Sequence, residues 1–591
     1  MTTERAPRPT PKRAWRWPLA ALLACCATLV DAVDTVTRGP YLQMQTATGM
    51  VVRWRTNNAV NGRVRYGTVP GSLTLSANQS AVATDHEVAL SALTPATRYY
   101  YSVGTSAATI VGDATYTFVT APTTGTPKPT RVWVLGDAGT GNSSQTAVRD
   151  AYLAYAGTTP TDLWLMLGDN AYNTGLDSEY QTAVFNLYPV TLRQSALWPT
   201  LGNHDTAQST TFVNTYPYFD IFTLPTAAQA GGVASGTEHY YSFDYGNIHW
   251  ICLDSMTADR SPGGAMLTWL TSDLGAATAH WIIAFWHHPP YTKGSHDSDT
   301  ETPLIEMRTN ALPILEAGGV DLVLSGHSHS YERSYLLDGH YGVSSTLAAG
   351  MKINGGSGAS ASPYTKLTGS HRGAVYAVAG SSGQIAGGTL NHPAMYISLN
   401  NLGSMVLDVH DNRIDGTFLR ETGAVADAFT IEKETPPRVA TPANAVTPVN
   451  GSTTPVSVLG EDDAGESNLT YTWSTVGSVP AAVTFAPNAT NGAKASTATF
   501  TAAGTYILQA TITDQGGNSV TSSVTVNVTG SGTAWGSTTA STGSAGSGGS
   551  GSSTCGVGTG VAAGVAAVIG LAIACLRRRE PLRRTGGDGM R

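Results

Sequence analysis

Between residues 131 and 329, a short apolar run five times ends in a tight turn that presents a metal-seeking side chain. The turns are Gly136-Asp137-Ala138-Gly139, Gly168-Asp169-Asn170-Ala171-Tyr172, Gly202-Asn203-His204-Asp205, His287-His288-Pro289-Pro290-Tyr291 and Gly326-His327-Ser328-His329. The runs include Arg131–Leu135, Leu163–Leu167, Trp281–Trp286 and Asp321–Leu324. Continuous apolar runs of this length read as strands buried on both faces, hence a sheet covered by helices. In such α/β sheets the functional crevice lies outside the carboxyl ends of the strands. Strands ending side by side would therefore gather all five turns. Singly, each turn has a bland explanation: Gly-Asp is common in turns, Asn203 could cap a helix, and His287-His288 could simply end a strand. Five in one order point to a site.

The residue types fit a pair of cations. Asp, Asn and His are oxygen and nitrogen donors, and Asp169 is placed to bridge two ions. Tyr172, three residues on, can supply a phenolate. His327 and His329, at i and i+2, can reach two neighbouring ions from a turn at a strand end. His288 is an alternative to His287; the nine-residue spacing to His296 and the following prolines and Tyr291 favour His287. His249, between Ile248 and Trp250, reads as a strand residue. His86, His239, His280, His340, His371, His392 and His410 have no motif context.

The rest of the chain is organised in blocks. Residues 33–122 read as a small β-sandwich, with strands at Met50–Trp54, Arg63–Tyr66 and Tyr99–Val103. Leu93-Thr94-Pro95-Ala96-Thr97 and Tyr99 resemble the turn and tyrosine corner of a fibronectin type III domain. A Thr/Pro/Gly linker leads to an α/β block over 131–430. Residues 436–529 alternate as a third, immunoglobulin- or PKD-like β domain, read as a spacer or adhesion module with a carbohydrate-binding role as the alternative. The fold class is therefore multidomain α/β plus all-β.

Both ends carry membrane-type signals. Residues 1–32 have a basic stretch, the apolar run Trp17–Val30 and the small-residue site Val30-Asp31-Ala32, the pattern of a signal peptide. An uncleaved anchor is the alternative. Residues 530–555 are a Gly/Ser/Thr tether, and 556–591 hold an uncharged 21-residue span, Gly556–Leu576, followed by arginines. This end resembles the C-terminal sorting tails of bacterial surface proteins. The expected location is exported, at the cell surface or secreted, with membrane or envelope attachment through the C-terminus. Net charge is −8, so no basic surface argues for nucleic acid as a dedicated partner. Of five cysteines only Cys252 lies in the body of the chain, so stability must come from cores.

Over roughly residues 38–420 the sequence resembles the purple acid phosphatases, a family of the calcineurin-like metallophosphoesterases. The resemblance is to the long, plant-type architecture and includes the run Gly326-His327-Ser328-His329-Ser330-Tyr331-Glu332-Arg333. Tyr172 discriminates, since related phosphodiesterases typically lack a tyrosine there. The resemblance implies a central α/β/β/α sandwich. It implies one metal on Asp137, Asp169, Tyr172 and His329, and a second on Asp169, Asn203, His287 and His327. Fe(III) is implied at site one, and Fe(II), Zn or Mn at site two. His204 and His296 match the family's catalytic histidines. The implied activity is hydrolysis of phosphomonoesters by metal-bound hydroxide attacking phosphorus, at acidic pH. Asp205 stands where many plant relatives have Glu. Such relatives often dimerise, so a homodimer is an expected assembly, although no interface signal is present. Two other functions compete: a phosphodiesterase or nucleotide hydrolase with the same centre, and a surface adhesin carrying an inactive enzyme domain.

Overall fold

The computed structural model describes residues 1–2, 33–207, 216–462 and 465–530. The expected signal peptide, tether and C-terminal span fall on 3–32 and 531–591, outside the described residues. Among the described residues no helix is long and apolar enough to cross a membrane.

The apolar runs are strands. Thr130–Leu135, Leu163–Met166 and Ala196–Pro199 lie parallel in one sheet, extended past 130–135 by the antiparallel strands Gly403–His410, Arg413–Arg420 and Val425–Lys433. A second sheet runs in the order Tyr241–Tyr245, Ile248–Cys252, Trp281–Trp286, Leu322–Ser325, Val375–Ala379, Tyr331–Ser334, Met395–Leu399. Its four middle members, 248–252 to 375–379, are mutually parallel. One core cluster joins residues of both sheets, including Trp133, Trp164, Leu197, Phe285, Leu324 and Ala377. A second buries Ile251, Ile282, Trp286 and Val323 against helix residues Leu267, Leu270, Leu312 and Leu315. Each central strand is therefore apolar on both faces, which explains why the runs do not alternate.

Residues 36–119 form an all-β domain. Met50–Trp54 and Arg63–Tyr66, separate strands by their sequence pattern, are parts of one strand, Met50–Gly67, whose pairing with Leu75–Leu90 is interrupted between Arg55 and Val60. The irregularity explains the difference: the polar stretch at Asn57 and Asn58 breaks the apolar pattern while the chain stays extended. Thr94 N–H donates to Tyr99 Oη at 3.0 Å, a tyrosine closing the loop upstream of its own strand. The domain docks through Arg38 and Arg55, which converge on Asp177 at 2.8 Å each. Residues 438–528 make two further antiparallel sheets, of four and three strands.

His249 is a strand residue, held in the second sheet between two carboxylates. Nδ1 faces Asp244 at 2.8 Å and Nε2 faces Asp273 at 2.9 Å. Burial disfavours the charged ring, but the Asp244 and Asp273 hydrogen bonds outweigh it and raise the pKa to about 9. A folded-state value above the ordinary 6.5 contributes stability fully present below pH 6.5 and lost as pH rises through about 9. The size is on the order of 3 kcal/mol. His249→Gln should therefore lower stability most at about pH 6. Its deficit should shrink towards about pH 9.5, as read from urea midpoints of both proteins across that range. A deficit independent of pH would contradict the doubly paired imidazolium.

Candidate metal centre

The five turns meet at one edge of the sandwich, where the carboxyl ends of both sheets face each other. Three of the residues they present have left-handed backbone: Asp137 at φ 55°, Asp169 at φ 52° and His327 at φ 67°. Such φ values cost of order 1–3 kcal/mol for non-glycine residues and persist where surrounding structure over-determines them. Here the turns are stitched together. Across the two sheets His327 N–H donates to Asp137 Oδ2 at 2.7 Å, and within the first sheet His204 N–H donates to Asp169 Oδ1 at 2.8 Å. Asp205 is fully buried and accepts from Gly202 N–H, Asn170 N–H and the Tyr180 hydroxyl. Burial first, then the Asp169 charge, raises its pKa to about 7.

The donor atoms fall into two groups. In the first, Tyr172 Oη is 3.2 Å from Asp137 Oδ1 and 3.3 Å from His329 Nε2, and His329 Nε2 is 3.5 Å from the same Asp137 oxygen. In the second, Asn203 Oδ1 is 2.9 Å from both His287 Nε2 and His327 Nδ1, which are 3.2 Å apart. Asp169 stands beside this group, its Oδ1 3.5 Å from His287 Nε2. Asp137, Asp169 and His329 also form a compact ligand cluster, so Asp169 touches both groups.

The tautomers follow from the outer partners. His287 Nδ1–H donates to Leu167 O at 2.9 Å, so Nε2 is bare. His327 Nε2 faces the Glu301 carboxylate at 3.4 Å, which keeps the proton there and leaves Nδ1 bare. Burial pushes the His327 pKa down to about 4, so its ring is neutral. Three lone pairs, from Asn203, His287 and His327, thus point at one another with no proton between them. A cation would satisfy that arrangement, and the donor set of the first group, two carboxylates with a phenol and an imidazole, fits a second one. Burial, then the Asp137 and Asp169 charges, hold the Tyr172 phenol well above its ordinary pKa. A cation at the first group is what would draw its proton off.

His288 lies near enough to compete, its ring 4.4 Å from that of His327. However, Ser255 Oγ accepts from His288 N–H at 3.0 Å and can donate to Nδ1 at 2.9 Å, which leaves the proton on Nε2. The arrangement favours His287 as the donor. His204 and His296 flank the centre, each about one-third exposed. His204 Nδ1 donates to Asn173 O at 2.7 Å, and its ring packs 4.5 Å from Tyr172. His296 lies 3.7 Å from the His327 ring and directs Nδ1 at Glu301.

Two residues at the centre are not apparent from the sequence motifs. Glu301 is one; the His327 hydrogen bond foremost, against burial, holds its carboxyl down to about 2. Gln384 is the other, with Nε2 3.3 Å from His329 Nε2. It follows strand 375–379 across Gly380-Ser381-Ser382-Gly383, the same strand-then-turn pattern as the five motifs. Glu301 has no such signal.

The glycines before the ligands are required by contact. A Cβ on Gly202 would lie 2.1 Å from Asp169 N and 2.2 Å from Asp169 Oδ1; one on Gly326 would lie 2.5 Å from Asp137 Oδ2. Gly202→Ala should displace Asp169 and lower metal retention after dialysis by at least about tenfold. Gly275→Ala, in helix Ala265–Ala276 with open space at its Cβ, should keep the metal and raise stability by up to about 1 kcal/mol. Metal analysis and thermal melts of the two variants check both outcomes.

Comparison with known proteins agrees with this geometry. Residues 130–331 match the calcineurin-like phosphoesterase model, and residues 38–120 match the purple acid phosphatase N-terminal domain. Among similar proteins is the probable purple acid phosphatase 20 of Arabidopsis thaliana, 28% identical over 298 residues, 48% of this chain and 66% of that protein. Purple acid phosphatase 1 of Ipomoea batatas is 30% identical over 258 residues, covering 40% and 49%. The chain thus spans about two thirds and about half of these relatives. The solved purple acid phosphatase PPD1 from yellow lupin (Lupinus luteus) seeds superposes with a TM-score of 0.53 at 17% identity, covering 68% of this chain and 74% of that one, a likeness of fold. Two segments of the chain are thus similar to the N-terminal and phosphoesterase domains found in purple acid phosphatases.

Proposed function

We propose that this protein is an exported acid phosphatase that hydrolyses phosphomonoesters at a dinuclear metal centre. Tyr172 carries the reading, because its hydroxyl stands within 3.3 Å of Asp137 Oδ1 and His329 Nε2. A phenolate beside carboxylates suits a hard trivalent ion, so Asp137, Asp169, Tyr172 and His329 would hold Fe(III). Asn203, His287 and His327, with Asp169 shared, would hold Fe(II), Zn or Mn. When bound, the two cations clamp the phosphoryl group and lower the pKa of a water, so that hydroxide is available at acidic pH.

The chain's own residues supply the rest. His204 and His296, each about one-third exposed and packed beside Tyr172 and His327 respectively, stand where phosphoryl oxygens would lie. His204 is oriented by Asn173 O, so its Nε2 is the atom left to meet the substrate. His296 is oriented by Glu301, so its Nε2 is likewise turned to the cleft. Water's oxygen forms a bond to phosphorus, losing one proton, as the bond from phosphorus to the alcohol oxygen breaks. The departing oxygen takes the Nε2 proton of His296 in its imidazolium form, the proton lost by water restores that form, and no phosphoenzyme forms.

In this reading the all-β segments at 33–122 and 436–529 flank the catalytic block over 131–430. The latter segment acts as an immunoglobulin-like spacer, and the signal and tail segments export and attach the protein.

Purified protein should hydrolyse p-nitrophenyl phosphate with an optimum below about pH 7. It should cleave bis(p-nitrophenyl) phosphate at least about tenfold more slowly. His296→Ala should lower kcat by about 10²- to 10⁴-fold. A profile peaking above about pH 8 would contradict Fe(III) at the first site, and a preference for the diester would contradict the monoesterase reading.

A further inference from the structure

Glu301 faces two histidines at once. Its Oε1 and Oε2 lie 3.0 and 2.9 Å from His296 Nδ1, and Oε2 lies 3.4 Å from His327 Nε2. The two rings are 3.7 Å apart at 30°. Glu301 occupies the N-cap position of helix Thr302–Glu306, yet its side chain makes no cap hydrogen bond to that helix. It turns back instead, and Asp297 N–H donates to Oε1 at 3.0 Å to hold it there. The loop beneath is anchored by Lys293 on Asp297 and Asp299, and by Arg308, which donates to Ser298 O at 2.5 Å.

An ionised carboxylate only accepts hydrogen bonds. Both nitrogens facing it therefore carry protons, and this fixes two tautomers together. On His327 the bare nitrogen is Nδ1, the atom that meets Asn203 and His287. On His296 the carboxylate holds the Nδ1 proton, so the second proton of the imidazolium is on Nε2, the nitrogen turned to the cleft. We propose that Glu301 is a positioning residue that ties the second metal's histidine to the proton donor of the leaving group, so that occupancy of that metal site and protonation of the departing oxygen depend on one carboxylate. The role given to His296 rests on the phosphatase reading above; the role given to His327 does not.

The consequence is selective. Aryl phosphates leave as weakly basic phenolates and need little proton transfer, whereas alkyl phosphates need it fully. Disrupting Glu301 should therefore harm alkyl substrates most. Glu301→Gln is close in shape, but its amide presents a donor to one of the two imidazoles and so cannot hold both tautomers. Far-UV spectra and melting temperature would establish that the full-length variant folds. Expected are two losses together. Zn²⁺ affinity of the second site, titrated against a chelating indicator, should weaken about 10- to 100-fold. The kcat for glycerol phosphate relative to p-nitrophenyl phosphate should fall at least about tenfold. Glu301→Ala should behave alike if the Gln variant is unstable. His296→Ala should reproduce the substrate effect while leaving Zn²⁺ affinity intact, which separates the two arms. Unchanged Zn²⁺ affinity, or an unchanged alkyl-to-aryl ratio, would overturn the proposal. Should the unaltered chain hydrolyse neither ester, the phosphatase reading fails and the Zn²⁺ titration alone decides whether Glu301 sets His327.

Discussion

Three lone pairs, on Asn203 Oδ1, His287 Nε2 and His327 Nδ1, approach within 2.9 to 3.2 Å with no proton to share. Unrelieved, such a meeting repels, and buried polar atoms without partners cost of order 1–3 kcal/mol each. The protein forces it by giving the opposite nitrogen of each imidazole a better acceptor: Leu167 O for His287 and Glu301 for His327. Asp137 and Asp169 add two buried carboxylates and, with His327, three left-handed backbones. The facing lone pairs and the buried carboxylates are unfavourable alone and would be relieved by the same event, binding of cations, while the left-handed backbones are held by the surrounding structure. The centre is preorganised by the fold, so little reorganisation is left for the metals to drive.

The architecture supplies the leverage. Parallel strands in each sheet deliver their turns to one edge, and the His327 N–H of one sheet's turn donates to the Asp137 carboxylate of the other's, linking the two edges. The N-terminal β domain reaches into this arrangement. Arg38 and Arg55 grip Asp177, at the start of the helix that also carries Glu179. Glu179 in turn accepts from the backbone N–H groups of Asn173, Thr174 and Leu176. That loop holds Tyr172 in place and supplies the Asn173 carbonyl that orients His204. Docking of the small domain and the setting of the tyrosine are thus mechanically continuous. The residues that follow the last histidine turn brace the scaffold instead of binding metal. Arg333 pairs with Asp427, and Glu332 accepts from Thr292 beneath the His296 loop.

How much of this is legible in the sequence depends on how local each signal is. A buried strand followed by Gly and a donor is a local pattern, and a sheet's geometry brings such patterns together without further information. Hence Asp137, Asp169, Asn203, the pair His287-His288 and His327 stand out from the sequence alone, and Gln384 could have done so, from the strand and Gly-rich turn before it. Glu301 is out of reach. It lies in a polar loop, and its partner His327 is 26 residues away with no pattern linking them. The choice between His287 and His288 likewise needs Ser255, a residue distant in sequence whose hydroxyl sets the tautomer. In the β domain the error runs the other way: a polar, irregularly paired stretch inside Met50–Gly67 hides the continuity of a strand that hydrogen bonding preserves.

The central claim is that Tyr172 and the lone-pair cluster together hold two metal ions, one of them trivalent iron. The most direct test is the visible absorption and metal content of the iron-loaded protein beside those of Tyr172→Phe. The expected result is about two metals per chain and a coloured tyrosinate-to-iron band in the unaltered protein, with the band lost in the variant. A colourless protein holding two divalent ions, or a colour that survives Tyr172→Phe, would contradict it.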